Sequence, residues 1–358
     1  MNAELAAKVL YVGIDYRKPI GGIAAVEDEY AKFIRPFKFV RTCVAGNKLT
    51  KAVVAAEGLC RFTWKMLTDK DIAIVHVNAA SDASFWRKRN IIAIAKLFGK
   101  KVVYHCHGGG FKRFHCAHPG AVAKVINKVD CVATLSQMWK NYFTDNFNCG
   151  NVEVINNVIP YPATTLEKNP SDSSSNTRPF SLLFFGKITK EKGIYDLLDI
   201  ITSNKANWIG KLELIIGGNG EVGHLQRLIK ENGLEGIVKY AGYVSGKTKA
   251  KLLTNSDAFI LPSYYEGLPI SILEAMSYGK AIITTNVGGI PSIVAHNDNG
   301  YLLTPGDNES LTRAIQRLIS MPEEAHRMGE RSLDKISPYF PDEVDHQLSK
   351  LYLSLLQD

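Results

Sequence analysis

The segment Glu266-Gly-Leu-Pro-Ile-Ser-Ile-Leu-Glu274 sets two carboxylates apart by seven residues and puts a glycine and a proline between them. It follows a strand-like run, Ala258-Phe-Ile-Leu-Pro-Ser263, and a tight turn, Tyr264-Tyr-Glu-Gly-Leu268. Pro269 then suits the first position of a helix over Ile270–Tyr278 that stops at Gly279. A helix start at the carboxyl edge of a sheet offers free backbone N–H groups and the positive end of a dipole, which is a seat for a diphosphate. Glu266 lies just before that start and Glu274 one turn inside it. Two carboxylates there repel phosphate unless they accept hydrogen bonds from sugar or ribose hydroxyls. The competing reading makes Glu266 a helix cap and Glu274 a surface residue.

Other segments carry compatible chemistry. In Phe185-Gly-Lys-Ile-Thr-Lys-Glu-Lys-Gly193, Gly186 lets a backbone approach a ligand, and Lys187 and Lys192 supply positive charge for a leaving phosphate. Gly218-Asn-Gly-Glu-Val-Gly223 satisfies a dinucleotide-binding fingerprint, but the next strand, Val238-Lys-Tyr-Ala-Gly242, ends without the acidic residue that would hold an adenosine ribose. Lys18-Pro-Ile-Gly-Gly-Ile23 follows the first strand, so Gly21 and Gly22 open a helix at the carboxyl edge. His105 and His107 close the fourth strand and are read as pointing to opposite sides, so that only one of them readily faces a ligand. His115, Cys116 and His118 lack ordered zinc spacing. Asp69-Lys-Asp71 precedes a strand and reads as a turn rather than a metal-binding pair.

Taken together, Glu266 and Glu274, Gly186 through Gly193, Ile216-Gly-Gly-Asn-Gly220 and Asn286-Val-Gly-Gly-Ile-Pro291 resemble the motifs of glycosyltransferase family 4. The resemblance covers about Leu182 to Pro305 closely and the first half more thinly. It implies a GT-B fold, two facing Rossmann-like doubly wound domains with an inter-domain cleft. The implied activity is retaining transfer of a sugar from a UDP- or GDP-sugar to a glycan or lipid-linked acceptor, in cell-surface polysaccharide biosynthesis. Glu266, His107 and Lys192 become the catalytic candidates. Gly186, Lys187, Lys192, Gly218, Asn219, Gly267, Leu268, Pro269 and Glu274 become donor-binding candidates, and Gly21 and Gly22 the acceptor or diphosphate loop. No metal and no cofactor are expected. Lys187 stands where the family more often has Arg, which keeps the charge and loses the bidentate fork. A sugar-nucleotide epimerase of the same two-domain fold and a non-catalytic nucleotide-sugar-binding protein are the alternatives.

The elements needed to position these residues are legible as alternating β-branched runs and helix-length amphipathic segments, the pattern of parallel sheets covered on both faces. In the first half the strands are placed at about 9–13, 39–44, 72–77, 102–105, 131–135 and 152–155, with helices over 23–35 and 84–98. A Ser- and Pro-rich stretch marks a linker at 165–180. Strands then resume at about 182–185, 212–216, 238–241, 258–261 and 281–285. The expected domains are therefore 1–164 and 181–335, with a helical tail over 336–358 packing across them. With 358 residues and 46% hydrophobic content, two cores are within reach. No stretch approaches the roughly 20 apolar residues of a membrane span, and Met1–Lys8 lacks a signal-peptide core, so a cytoplasmic location is expected. Six cysteines without close pairing read as reduced, mostly buried thiols. The net charge of +8 points to an anionic partner. The cations are dispersed and no nucleic-acid motif accompanies them, so nucleic acid is not expected. An anionic membrane surface on the inner face, met through Arg87-Lys-Arg89 and Lys112-Arg113, is.

Overall fold

The computed structural model describes residues 1–17, 21–163 and 178–357. The chain divides into two compact units, Met1–Pro160 with Pro338–Asp358, and Tyr161–Ser337. The linker expected at 165–180 lies, up to Thr177, outside the described residues, as do Lys18, Pro19 and Ile20 ahead of Gly21.

The first unit runs α1 (Ala3–Ala7), β1 (Val9–Ile14), α2 (Gly22–Phe33), β2 (Lys38–Cys43), α3 (Lys48–Thr68), β3 (Ile74–Ala79), α4 (Ala83–Leu97), β4 (Lys101–Cys106), α5 (Phe111–Ala117), α6 (Pro119–Ile126), β5 (Cys131–Thr134), α7 (Gln137–Asn146) and β6 (Val152–Val154). Its strands form one parallel sheet in the order β2-β1-β3-β4-β5-β6. Helices cover both faces, so β3 and β5 are buried at every position, the polar His76 and Asn78 of β3 included. Leu10, Val12, Val75, Val77, Phe85, Val102 and Phe111 share the core. The strand order reverses between β1 and β3, and the crevice outside the carboxyl ends at such a point is where open α/β sheets bind ligands.

The second unit runs β7 (Phe180–Phe185), α8 (Ile194–Ser203), α9 (Lys205–Trp208), β8 (Leu212–Gly217), α10 (Val222–Glu231), β9 (Val238–Tyr240), α11 (Gly246–Asn255), β10 (Ala258–Leu261), α12 (Ile270–Ser277), β11 (Ala281–Thr285), β12 (Gly300–Leu303), α13 (Asn308–Ser320) and α14 (Pro322–Ile336). Its parallel order is β12-β11-β10-β7-β8-β9. Here the reversal falls between β7 and β10, the two strands whose carboxyl ends lead into the lysine loop and the Glu266 turn.

Several elements differ from the sequence expectation. α3, at 21 residues, was not singled out, and neither was β12. The tail is two helices: α14 ends at Ile336, and α15 (Pro341–Gln357) belongs to the first unit, where it packs on α1 and α2 and buries Val344, Leu348 and Tyr352. Of the free cysteines, Cys106 and Cys131 are buried, while Cys60 and Cys116 are exposed. Lys88 is not part of a cationic surface with Arg87 and Arg89: it is buried and its ammonium donates to Thr42 Oγ1 at 2.6 Å.

Candidate functional site

In the second unit four loops interlock through close backbone approaches that only glycine permits. A Cβ on Gly218 would stand 1.9 Å from the Gly186 carbonyl oxygen, and one on Gly220 2.5 Å from that of Ile188. Backbone bonds join the same two loops, Ile188 N–H to Asn219 O at 2.7 Å and Glu221 N–H to Ile188 O at 2.9 Å. The lysine loop closes as one 3-10 turn, Lys190–Lys192, followed by Gly193 at φ 68°. A Cβ there would meet the Pro262 carbonyl oxygen at 2.1 Å, and Tyr264 N–H donates to Glu191 O at 2.8 Å. The turn is thereby fixed to the carboxyl end of β10. On the other side Gly288, at φ 57°, lies against Glu266, where a Cβ would be 2.0 Å from the carbonyl oxygen, and Gly289 N–H donates to Gly267 O at 2.6 Å.

This scaffold brings Lys192 and Glu266 together from positions 74 residues apart. The Lys192 ammonium donates to Glu266 Oε1, which also accepts from Ser263 Oγ at 2.8 Å. Glu266 is buried, its side chain 8% exposed, whereas Lys192 is half-buried at 25%. Glu266 is therefore held by a side-chain cluster and does not cap the helix. α12 begins at Ile270 as expected, with Pro269 as its cap residue in extended conformation rather than as its first helical position. The Pro269 ring supplies no N–H, and the first N–H groups of α12 have no acceptor within the helix. Gly267 is half-buried and Leu268 buried, so the turn presents backbone rather than apolar side chains. Glu274 sits one turn into α12, 15% exposed, and accepts from Lys249 Nζ on α11 at 2.6 Å. It is no surface residue. Lys187 and Asn219 are exposed at the ends of their loops.

The first unit carries a second constellation at the reversal of its strand order. Gly21 adopts φ 97° as the residue before α2, and a Cβ there would meet nothing within 4 Å. One turn into α2, Glu27 turns its carboxylate inward onto Gly13, occupying the space a side chain would need. Glu27 Oε2 accepts from Ile14 N–H at 2.9 Å and Oε1 from Asn78 Nδ2 at 3.0 Å. Asn78 Oδ1 consequently faces His107 Nε2 at 3.1 Å. Because that oxygen only accepts, Nε2 carries the proton. Burial holds His107 neutral, down to about 4. Burial raises the Glu27 carboxyl, with Lys88 pulling the other way, and lowers the Lys88 ammonium.

His105 and His107 share a side, their rings 4.1 Å apart, because residues two apart in a strand project to the same face. The expectation of opposite sides was wrong on that ground. His105 Nδ1 lies 3.1 Å from His76 Nε2, and His76 Nδ1 lies 2.7 Å from the Tyr352 hydroxyl, which meets that of Tyr11 at 2.8 Å. Sequence reasoning missed Glu27, Asn78 and Lys249, because only the pairing of separate elements reveals their roles. Among the described residues no group of three or more His, Cys, Asp or Glu side chains is arranged to hold a metal ion. His115 instead has Nδ1 at 2.6 Å from the Tyr142 hydroxyl, and Asp69 ends α3 paired with Lys38.

A family model described as glycosyl transferases group 1 matches residues 166–334, the stretch that contains all four interlocked loops. This stretch belongs to the glycosyl transferases group 1 family. Over 180 residues the chain is 33% identical to the N-acetyl-alpha-D-glucosaminyl L-malate synthase of Bacillus anthracis, covering 49% of this chain and 46% of that protein. Over 265 residues it is 24% identical to a glycogen synthase of Mycobacterium tuberculosis, covering 70% and 62%. The chain thus spans less than two thirds of the length of these relatives. The likeness of fold extends further than the matched stretch. Sucrose-phosphate synthase from Thermosynechococcus elongatus superposes with a TM-score of 0.77 at 16% identity, over 98% of this chain and 99% of the other. HepE from Anabaena in complex with UDP gives 0.75 at 18%, over 97% and 100%. The two parallel α/β units of this chain are those of the GT-B architecture. No helix among the described residues is long and apolar enough to cross a membrane.

Proposed function

We propose that the chain is a retaining glycosyltransferase of family 4 that moves a sugar from a UDP- or GDP-activated donor to a saccharide or lipid-linked acceptor, needing no metal or other cofactor. The observation that carries this reading is the Lys192–Glu266–Ser263 cluster, fixed by glycine contacts beside the N-terminus of α12. The donor diphosphate rests on the first N–H groups of α12 and draws Lys192 away from Glu266, with Lys187 at the rim. Glu266 then accepts from a hydroxyl of the transferred sugar, and Glu274, beside Lys249, from the ribose. As the bond from the anomeric carbon to phosphate breaks, negative charge grows on the leaving diphosphate. Preorganised N–H groups and ammonium groups stabilise it in the role a metal ion has elsewhere. Gly218 and Asn219 belong to the donor side, and the first unit is assigned the acceptor side through Gly21, Gly22 and the neutral His107. The UDP of the HepE neighbour motivates UDP as the first nucleotide to try. An acceptor in cell-surface polysaccharide assembly, and attachment to an anionic membrane, complete the proposal.

The test is a thermal-shift panel of UDP, GDP and their sugars, followed by transfer assays with the best donor. Lys192→Ala and Glu274→Ala should each lower donor kcat/KM tenfold or more. Unchanged donor kinetics in both would overturn the site. Release of an isomerised nucleotide sugar without any acceptor would instead identify an epimerase.

A further inference from the structure

Glu266 Oε1 has two donors of unequal freedom. Ser263, fully buried, donates to it through Oγ at 2.8 Å from the same turn. The Lys192 ammonium reaches it from the lysine loop, and among the described residues Glu266 is its one partner. The backbone under Lys192 is tied down. Lys192 N–H donates to Thr189 O at 3.1 Å and Gly193 N–H to Lys190 O at 2.9 Å. Tyr264, whose N–H holds Glu191 O, is itself anchored through its hydroxyl to Asp196 Oδ2 at 2.7 Å. The ammonium therefore leaves Glu266 only by rotation of the lysine side chain, which is 25% exposed. Glu266, 8% exposed, stays with Ser263. Its other oxygen, Oε2, meets no donor among the described residues.

A buried carboxylate that loses its cation is costly unless another donor replaces it. When the diphosphate of the proposed donor draws Lys192 away, a hydroxyl of the transferred sugar, donating to Oε2, is that replacement. The spent nucleoside diphosphate takes the same lysine but no longer carries the sugar, so it brings no hydroxyl to Oε2. We infer that Glu266 and the diphosphate compete for the Lys192 ammonium, so that the site retains a nucleotide sugar and expels the nucleoside diphosphate left after transfer. Once the sugar has gone, Glu266 takes the lysine back and the product loses its cation. The inference rests on the donor site of the proposed function and adds to Glu266 a role in product release.

The experiment is titration calorimetry of the full chain with UDP, GDP, UDP-glucose and GDP-mannose, in the wild type, Glu266→Gln, Lys192→Ala and the double variant. Glutamine keeps an acceptor for Ser263 and gives up the carboxylate that competes for the lysine. Glu266→Gln should therefore bind UDP or GDP more tightly than the wild type, by at least about fivefold, the scale of one half-buried ion pair. Its preference for the nucleotide sugar over the bare diphosphate should fall by at least the same factor. In the Lys192→Ala background there is no lysine to contest, so adding Glu266→Gln should change diphosphate affinity by less than about twofold. Melting temperatures are read for every variant. If Lys192→Ala does not fold, Lys192→Gln, whose amide still donates to Glu266, takes its place. Diphosphate affinity that is unchanged or weaker in Glu266→Gln would overturn the competition. So would equal tightening with and without Lys192, which would assign the effect to plain repulsion between Glu266 and phosphate. Wild type that binds none of the four nucleotides would overturn the donor site itself and the competition with it, whereas wild-type binding that Glu266→Gln leaves unaltered would overturn the competition alone.

Discussion

Gly288→Ala should do more than strain one residue, because its missing Cβ is the space in which the Glu266 backbone sits. Alanine at φ 57° costs about 1–2 kcal/mol for the left-handed conformation. A less flexible unfolded chain returns about 0.4–1 kcal/mol of that. The added carbon would be 2.0 Å from Glu266 O and 2.8 Å from Gly267 O, both backbone atoms that cannot rotate away. Relieving the contact requires a shift of about 1 Å, for which overpacking costs of about 1–3 kcal/mol are typical. The expected loss is about 2–4 kcal/mol. Gly210→Ala is the control, with φ 75° but nothing within 4 Å of a Cβ, so it should lose only about 1 kcal/mol. Urea titrations of both variants measure the difference. Nucleotide affinity measured by calorimetry on the folded fraction should drop about tenfold or more in Gly288→Ala alone, since Glu266 and Gly267 move together. Equal destabilisation by the two variants, or unchanged nucleotide affinity in Gly288→Ala, would refute the idea that glycine contacts set the position of Glu266.

Three further outcomes are expected. His76, brought to about 3 by burial, and His105, also brought well below its ordinary value, are fully buried and neutral in the fold, but both take up protons below about pH 6.5 once unfolded. Stability should therefore fall as pH drops from 6.5 toward 4, by about 1.4 kcal/mol per pH unit for each histidine; equal urea midpoints at pH 7.5 and 5.5 would contradict this. Glu27→Ala leaves the buried Ile14 N–H and Asn78 Nδ2 without their acceptor, at about 1–3 kcal/mol each, while Glu27→Gln keeps one acceptor and should lose about half as much. In Glu27→Ala, nitrogen NMR should also show His107 losing its preference for the Nε2–H tautomer, and a spectrum identical to wild type would break the link through Asn78.

The doubly wound class, the strands of both sheets except β12, and the loops at their carboxyl ends were legible in the sequence because each depends on local pattern: β-branched runs, glycine at turns, proline before a helix. α3 escaped because its exposed face is as apolar as its buried one, which blurs the periodicity that marks a surface helix. The tail read correctly as helical, but which core receives α15 depends on its packing against α2 and on Tyr352 meeting Tyr11 and His76, all far back in the chain. The site divides in the same way. Sequence alone determined that Lys192, Glu266 and Glu274 stand beside glycine loops and a helix start. Only the tertiary structure decided that Lys192 reaches Glu266, that Lys249 holds Glu274 and that Glu27 fixes His107 through Asn78. Those pairings join residues from separate elements, and the distances between them are set by how closely backbones approach at Gly193, Gly218 and Gly288 in the second unit and by the room Gly13 leaves for the Glu27 carboxylate in the first.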